Sequence, residues 1–551
     1  MALRIALAQF NPWMGALAKN VEMMEALYQR AMKERVDLLV FPEMSVCGYP
    51  PEDLLLNDQF LHDTYTACEE LAQHCSETTI LAGLAYQKEG KCYNALGVLA
   101  GGRLQQIYHK CLLPNYGVFD ERRYFQPGEE PFVIHKEDCA IVLTICEDIW
   151  DKEWLDTCLA HLQRKDLIIN ISASPFHIGK IKQREHIVCA CARYFQCALA
   201  YCNMVGGQDE LVFDGRSMFV DPDGSIVSQA KAFDEDLLIA DIFLDRSHKV
   251  HVSPAHAERK ECRSVRMDTI AEVYNALLVG TRDYVSKSGF HTVLIGLSGG
   301  IDSALTAALA VDALGAGNVI GVTMPSQFNS QETISDAELV ATNLGIRFHT
   351  IPIGDILANF DKTLRSIEGW DDRTVAYENL QARIRGTILM SLSNQFSYLV
   401  LTTGNKSETA VGYSTLYGDT AGGFAVIKDV PKTMVYDLSY FINNLHGCTI
   451  IPESVITRVP SAELRENQRD SDSLPEYSLL DRLLKGYIED DLSAAKLAEE
   501  GLDTKEISRV IHMVDRNEYK RRQSPPGIKI TPKAFGKDRR MPIVNHYRRY
   551  E

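Results

Sequence analysis

Short apolar runs alternate with helical patterns through the first part of the chain. Each run is bounded by polar or turn-forming residues, a setting that predicts buried β-strands. The strands predicted in this way are 1–9, Val36–Phe41, Thr79–Tyr86, Ala140–Ile145, Asp166–Ile171 and Ala198–Val205. The stretch Met218–Val227 places Asp-Pro-Asp-Gly between two apolar segments, which predicts a hairpin closed by a turn.

The second part of the chain repeats strand and helix more regularly. It opens with a long helical pattern at Asp268–Val285. The strands predicted after it are Thr292–Gly296, Val319–Met324, Arg347–Ile353 and Tyr398–Thr403, with helices beginning at about Ser303 and covering Gln331–Leu344 and Glu378–Ser393. This alternation predicts an α/β domain with a parallel, doubly wound sheet, in which ligands bind at the carboxyl ends of the strands.

A polar stretch that begins after Leu244 separates the two parts. We therefore expect a first domain at residues 1–245, a linker at 246–267 and a second domain at 268–551. The length of 551 residues agrees with this division, because single hydrophobic cores rarely grow beyond about 250–300 residues.

The overall charge of the chain is acidic. Its 74 acidic and 57 basic side chains give a formal net charge of −17. Binding to nucleic acid needs clustered Lys and Arg, and the basic residues at 520–522 and 537–540 are interpreted as a solvated face. No apolar run approaches the roughly 18–20 residues of a membrane span. We therefore expect neither a nucleic-acid nor a membrane partner.

The cysteines indicate a reducing environment. There are 14 of them, with no paired spacing typical of zinc sites or disulfide oxidoreductases. Several lie inside apolar runs such as Ile187–Cys191, and the N-terminus lacks the features of a signal peptide. We expect reduced, mostly buried thiols in a cytoplasmic protein, and one of these thiols is expected to do chemistry.

A glycine-rich loop follows the predicted strand Thr292–Gly296. Adjacent glycines let the backbone approach an anion, and Ser298, Ser303 and the N–H groups of the next helix can hold phosphate oxygens. The Lys of a Walker A loop is absent. Asp302 would repel phosphate unless a cation lay between them, so it is predicted to bind Mg²⁺; the alternative is a simple capped helix start. The predicted nucleotide site comprises Gly296, Leu297, Ser298, Gly299, Gly300, Ile301, Asp302 and Ser303.

Three residues of the first part suit amide hydrolysis. Cys146 ends an apolar strand, Glu43 follows another strand, and Lys110 follows a third strand-like segment, Leu104–Tyr108. A thiol nucleophile needs a base for its proton and a cation for the oxyanion, which Glu43 and Lys110 can supply. Glu147 is a rival base, but adjacent side chains of an extended segment point to opposite faces, so Glu43 is preferred.

These residues stand in motifs that resemble the nitrilase superfamily. The motifs are Phe-Pro-Glu at 41–43, His-Lys-x-x-Leu-Pro at 109–114 and Ile-Cys-Glu-Asp-x-Trp at 145–150. The resemblance spans roughly residues 1–245 and implies an α-β-β-α sandwich with a Glu–Lys–Cys triad. By resemblance to the glutamine-using members, Tyr116, Ser174 and Lys180 contact glutamine, with Ser172 as an alternative to Ser174.

The Ser-Gly-Gly-Ile-Asp-Ser segment resembles the loop of the ATP pyrophosphatases, which implies cleavage of ATP to AMP and pyrophosphate through an adenylated intermediate. Combined with a nitrilase-like glutaminase, it resembles the architecture of the glutamine-dependent NAD synthetases. Residues 378–386 and 402–408 sharpen that resemblance. It implies that Thr403 binds ATP, that Asn379, Glu408 and Lys529 contact deamido-NAD, that Glu408 joins Asp302 at the metal, and that Lys428 and Lys432 neutralise phosphates.

The resemblance implies a ligase that amidates deamido-NAD to NAD with ATP, Mg²⁺ and ammonia released from glutamine, and it implies a homo-oligomer. Other amide-forming enzymes fit less well. Asparagine synthetase uses an N-terminal Cys where residue 2 here is Ala, and GMP synthetase carries a different glutaminase. A tRNA-thiolating enzyme would need a basic surface and paired cysteines. A nucleotide sensor with an inactive amidase is the non-enzymatic alternative.

Overall fold

The structure is a computed structural model that describes residues 2–75, 77–245, 249–256, 267–371 and 374–547. The chain folds into two compact units, Met1–Met267 and Asp268–Glu551. None of the helices in the described parts is long and apolar enough to cross a membrane.

The described residues of the first unit form two large mixed sheets and four α-helices. Its strands are β1 (Ala2–Gln9), β2 (Leu38–Val40), β3 (Thr79–Lys88), β4 (Lys91–Ala100), β5 (Arg103–His109), β6 (Phe132–Lys136), β7 (Cys139–Ile145), β8 (Leu167–Ser172), β9 (Ala198–Asn203), β10 (Val205–Gln208), β11 (Leu211–Asp214), β12 (Met218–Val220), β13 (Ile226–Gln229), β14 (Asp236–Leu244) and β15 (Val250–Pro254). Its helices are α1 (Leu17–Lys33), α2 (Asp58–His74), α3 (Lys152–Leu159) and α4 (Lys180–Phe195). One sheet has seven strands in the order β15-β14-β1-β2-β3-β4-β5, and the other has six in the order β13-β12-β9-β8-β7-β6.

The core of this unit lies between the two sheets. Alternate residues of β1, such as Ile5 and Leu7, pack in one cluster with alternate residues of β7, such as Ile141 and Leu143. Residues of the opposite parity, such as Ala6 in β1, pack against α1 and α2. The layers therefore run helix, sheet, sheet, helix, and the expected α-β-β-α sandwich is confirmed.

Two segments of this unit differ from the sequence-based expectation. The predicted strand Ala198–Val205 is divided at Met204 into β9 and β10, which belong to different sheets. The predicted linker, 246–267, contains β15, which pairs antiparallel with β14; residues 246–248 and 257–266 lie outside the described residues. The five residues of β15 include a histidine and a proline, so their alternation was too short and too polar to identify as a strand.

The second unit is built on one parallel sheet. Its strands are β16 (Val293–Gly296), β17 (Val319–Thr323), β18 (Arg347–Thr350), β19 (Leu399–Thr402) and β20 (Phe424–Ala425). Its helices are α5 (Thr269–Lys287), α6 (Ile301–Leu314), α7 (Gln331–Leu344), α8 (Gly354–Leu364), α9 (Val375–Phe396), α10 (Lys406–Val411), α11 (Lys432–His446), α12 (Glu453–Thr457), α13 (Tyr477–Leu484), α14 (Ala494–Glu499), α15 (Thr504–Arg516) and α16 (Glu518–Arg521).

All neighbouring strands of this sheet are parallel, in the order β18-β17-β16-β19-β20. The expected doubly wound sheet is therefore confirmed. The direction of winding reverses between β16 and β19, and a crevice at the carboxyl ends of such a strand pair is where open α/β sheets bind ligands.

Candidate active sites

Three strand ends of the first unit bring Glu43, Lys110 and Cys146 together. Glu43 follows β2 through two residues, Lys110 directly follows β5, and Cys146 directly follows β7. The Lys110 Nζ donates a hydrogen bond to Glu43 Oε1 at 2.7 Å. All three residues are buried, with exposed fractions of 1%, 1% and 5%, so the proposed triad is shielded from bulk water.

The backbone at this site adopts conformations that side chains rarely tolerate. Cys146 has φ = +43° and opens a short 3-10 helix, Cys146–Ile149. A non-glycine residue held in such a region costs about 1–3 kcal/mol, and such strain clusters at functional sites. Next to Glu43, a Cβ on Gly83 would lie 2.3 Å from the Met44 nitrogen. Only glycine therefore lets β3 pass this close to the Glu43 backbone.

Electrostatics set the resting protonation of the thiol and the amine. Burial, and then the nearby Glu43 charge, raise the pKa of Cys146, although Lys110 opposes the rise. Burial alone would lower the pKa of Lys110, but the charges of Glu121 and Glu43 outweigh it and raise that pKa well above its usual value. The thiol is therefore protonated and the amine charged near neutral pH, so attack by sulfur requires a base.

Two partners of this site were not predicted from the sequence. Glu121 is buried, and its Oε1 accepts hydrogen bonds from Lys110 Nζ at 2.9 Å and from the Tyr49 hydroxyl at 3.0 Å. Burial raises the pKa of Glu121 to about 7. Asn94 donates to Glu43 Oε1 at 2.7 Å. Glu121 stands in the charged segment Asp-Glu-Arg-Arg, which has the composition of a surface turn, and nothing local marks it as buried.

The predicted glutamine contacts have partners of their own. The Tyr116 hydroxyl donates to the Glu147 carboxylate at 3.0 Å. The Lys180 ammonium lies 4.0 Å from the centre of the Trp150 ring, and burial lowers its pKa to about 8. Charge interactions link Glu147 to Lys180 as well as to the thiol. Glu147 is thus grouped with the predicted glutamine contacts, in a place suited to an ammonium group.

Ser174 lies in a buried part of the same unit. Its hydroxyl accepts a hydrogen bond from Arg184 Nη2 at 3.4 Å, and Arg184 in turn pairs with Asp214 at 2.9 Å. The alternative residue, Ser172, donates its hydroxyl hydrogen to Asn170 Oδ1 at 2.8 Å. Both serines are therefore engaged with protein partners.

A cavity of about 910 Å³ opens at the carboxyl ends of β16 and β19 in the second unit. Its volume is that of a site for a large small molecule, for which about 300–1,000 Å³ is usual. The predicted site residues that line it are Gly296, Leu297, Ser298, Gly300, Ile301, Asp302, Ser303, Thr403, Glu408, Lys428 and Lys432. The loop after β16 and the segment after β19 therefore face one space.

The glycine-rich loop is ordered by its own serines. Ser298 Oγ accepts the Gly300 amide at 3.2 Å, and Ser303 Oγ donates to the Gly300 carbonyl at 2.9 Å. Gly299 has φ = +81°, and a Cβ there would lie 2.1 Å from the Thr333 carbonyl oxygen. The loop can therefore pass under α7 only because residue 299 is glycine.

Two carboxylates share one ammonium at the edge of this cavity. Lys432 Nζ bonds Asp302 Oδ2 and lies 3.5 Å from Glu408 Oε1, while Asn405 donates to Asp302 Oδ1 at 2.9 Å. Burial, and then the Asp302 charge, raise the pKa of Glu408 to about 8. Two carboxylates beside the glycine-rich loop are ligands of the kind that Mg²⁺ accepts together with phosphate oxygens, so these residues fit that ion.

Three predicted site residues of the second unit, all within the described part of the chain, lie outside the cavity lining: Gly299, Asn379 and Lys529. Asn379 is half-buried on α9, and its Oδ1 accepts the Thr415 hydroxyl at 2.7 Å. Lys529 is 5% exposed, and its ammonium bonds the Asp538 carboxylate and the Pro532 carbonyl. The contacts of Asn379 and Lys529 with substrate therefore stay predictions.

Two family models match this chain, and the boundary between them is close to the boundary between the two compact units. The carbon-nitrogen hydrolase family model matches residues 4–251, and the NAD synthase family model matches residues 273–524. The glutamine-dependent NAD(+) synthetase of Thermotoga maritima is 44% identical over 571 residues, with 99% of each chain covered. That of Aquifex aeolicus is 45% identical over 573 residues and covers 99% of this chain and 100% of its own.

A solved structure resembles the whole fold. The glutamine-dependent NAD+ synthetase from Acinetobacter baumannii, in complex with adenosine diphosphate, is 42% identical with a TM-score of 0.78, and 99% of each chain is covered. The likeness therefore extends over both units and over sequence as well as structure.

Proposed function

The chain belongs to the glutamine-dependent NAD(+) synthetases, and on that premise we propose how its two units divide one amidation. The enzyme is a ligase that makes NAD by amidation with nitrogen taken from glutamine. The domain bounds expected from the sequence, 1–245 and 268–551, are proposed as the glutaminase and the synthetase.

In the glutaminase, Cys146 is the nucleophile. Its sulfur attacks the side-chain carbonyl carbon of glutamine, while Glu43 takes the thiol proton and passes it to the departing nitrogen, which leaves as ammonia. The Lys110 ammonium stabilises the oxyanion that develops on the carbonyl oxygen. Water then cleaves the thioester and releases glutamate. The raised pKa of the buried thiol is what makes the base necessary.

Glutamine is held by groups around this triad. Tyr116, Ser174 and Lys180 are proposed to bind its α-amino and α-carboxyl groups. Glu147, which already accepts the Tyr116 hydroxyl, adds a carboxylate suited to the α-ammonium group. This division gives Glu147 a role in binding and leaves Glu43 as the base.

In the synthetase, the loop 296–303 and Thr403 bind ATP. The carboxylate of deamido-NAD attacks the α-phosphorus and pyrophosphate leaves; ammonia then attacks the acyl carbon and displaces AMP. Asp302 and Glu408 would hold Mg²⁺, which neutralises phosphate charge when bound. Lys428 and Lys432 offset the remaining negative charge, and Asn379, Glu408 and Lys529 are proposed to contact deamido-NAD. Self-association into a homo-oligomer stays a prediction that light scattering can test.

The observation that supports this division most is the presence of two separate sets of reactive groups. The Glu43–Lys110 pair lies in one unit and the Asp302–Lys432 pair in the other, and they share no side chain. The two chemistries would then be linked only by ammonia.

Cys146→Ala tests this division. NAD synthesis from glutamine should be abolished, because no thioester can form, while synthesis from a high concentration of ammonium salt at mildly alkaline pH should continue and yield AMP and pyrophosphate. Cys191→Ala, which removes a thiol of similar burial in α4, should support both. Loss of ammonia-supported synthesis in a folded Cys146→Ala protein, or full glutamine-supported synthesis, would contradict the proposal.

A further inference from the structure

We propose that Asp148 is a positioning residue. It holds Lys110 and Cys146, which follow strands of different sheets in the first unit, at a fixed separation. The inference rests on the proposed glutaminase function and assigns Asp148 no contact with substrate. It concerns how two catalytic side chains that arise from different sheets keep a fixed separation.

The Asp148 carboxylate is fully buried and accepts four hydrogen bonds. Its Oδ1 accepts the backbone amides of Cys111 at 3.1 Å and Leu112 at 2.9 Å. Its Oδ2 accepts the Ile145 amide at 2.8 Å and the Tyr108 hydroxyl at 2.6 Å. One carboxylate thus bonds residues on both sides of Lys110 and the residue directly before Cys146.

Three of these bonds, from Tyr108, Cys111 and Leu112, join elements that share no backbone ladder, and the fourth, from Ile145, holds Asp148 next to Cys146. Lys110 follows β5, the edge strand of the seven-stranded sheet, whereas Cys146 follows β7 of the six-stranded sheet. Packing between sheets fixes their spacing but allows small sliding, because apolar contacts are non-directional. Three directional bonds from the Lys110 segment to one buried carboxylate resist such sliding at the point where the two side chains must meet.

The chemistry of the partners calls for an ionised carboxylate. All four partners donate, and a carboxylate is a side chain that only accepts. Burial raises the pKa of Asp148 to about 6, while the bonds from Tyr108, Leu112 and Ile145 oppose the rise, so the group is mainly charged at neutral pH. An asparagine side chain would turn its N–H groups toward two of the donors. This would displace either the segment at 108–112 or the segment at 145–148.

Asp148→Asn tests the proposal, and Asp166→Asn is its matched control. Asp166 is also buried in the first unit, where it accepts the Ala140 amide at 2.7 Å near the opposite end of β7 and pairs with Arg164. We expect Asp148→Asn to lower kcat for glutamine hydrolysis about 10²-fold, the cost of a misplacement of about 1 Å. KM for glutamine should change less than about threefold, because the glutamine contacts are untouched, and ammonia-supported NAD synthesis should be unchanged. Asp166→Asn should keep its kcat.

Tyr108→Phe gives a second test that removes one donor and leaves three. It should lower kcat about threefold to tenfold at constant KM, and it decides the matter if Asp148→Asn does not fold. A folded Asp148→Asn protein with unchanged kcat, an equal loss of kcat in Asp166→Asn, or an unchanged Tyr108→Phe protein would overturn the proposal. Absence of glutaminase activity in the unsubstituted chain would instead contradict the proposed function itself.

Discussion

The proposed glutaminase and synthetase sites both place a buried lysine between two carboxylates, yet they expose those charges differently. In the first unit Lys110 lies between Glu43 and Glu121, whose side chains are 1% and 5% exposed. In the second unit Lys432 lies between Asp302 and Glu408, whose side chains are 18% and 19% exposed beside the large cavity. The same arrangement of charges is thus buried in the first unit and partly exposed to solvent in the second.

The difference reflects the size and charge of what each site binds. The amide group of glutamine brings no charge, so the ion pairs around Lys110 can stay as they are when it binds, a preorganised arrangement that costs little to reorganise. ATP and a cation would bring several charges to the proposed synthetase site, so Lys432 would exchange carboxylate for phosphate when they bind. We therefore expect the first site to fail when its geometry is disturbed and the second when its charges are changed.

The largest expected effect is that of Asp302→Ala. Loss of a charged ligand beside the phosphates removes several kcal/mol of stabilisation, so NAD synthesis should fall by about 10³-fold or more with either nitrogen source. Glutamine hydrolysis, measured as glutamate release, should persist. Asp312→Ala, on the same helix but paired with His446, is the control and should keep its synthesis rate. Near-normal synthesis by Asp302→Ala would remove this residue from the site.

Glu43→Gln should have the next largest effect, on the other site. The amide keeps the shape but cannot accept a proton, so kcat for glutamine hydrolysis should drop by the roughly 10²–10⁴-fold typical of a general base. Glu147→Gln should instead raise KM for glutamine and keep most of kcat. The reverse outcome, with Glu147→Gln crippled and Glu43→Gln active, would show that Glu147 is the base.

Two glycine substitutions should separate the sites by geometry alone. Gly83→Ala places a methyl group 2.3 Å from the Met44 nitrogen, and Gly299→Ala places one 2.1 Å from the Thr333 carbonyl oxygen. Each should lower the activity of its own site by about 10- to 100-fold and spare the other. Gly317→Ala, which meets no atom within 4 Å, should change neither activity. Equal losses at both sites would indicate a general loss of structure.

Tyr116→Phe should have the smallest effect. Tyr116 is 54% exposed and loses one hydrogen bond to Glu147, so folding should be unaffected. KM for glutamine should rise about two- to tenfold with kcat nearly constant, as expected for one net hydrogen bond. Tyr194→Phe, at another exposed tyrosine, is the control. A fall in kcat without a change in KM would place Tyr116 in the chemical step.

Local pattern was enough to predict most of the fold. Gln331–Leu344 begins and ends as a helix where its periodicity predicts, and the hairpin at Met218–Val227 forms between β12 and β13. The departures occur where the pattern is short or mixed, as in β15. Strand ends were also predicted well enough to place Glu43, Lys110 and Cys146 where three strands finish, because apolar runs stop where the chain leaves the core.

The amino-acid sequence by itself determined the order of elements, the two kinds of sheet and the motifs that carry the chemistry, because burial periodicity and loop composition are local properties. Only the tertiary structure decided which charges meet. Glu121 and Asp148 are far in sequence from Tyr49 and Cys111, and their burial depends on the packing of two sheets. Lys529, predicted to meet substrate, pairs with Asp538 instead of lining the cavity. When distant segments bury a charged side chain, the local hydrophobic pattern of the sequence does not show it. The partner of such a side chain is therefore known only from the folded structure.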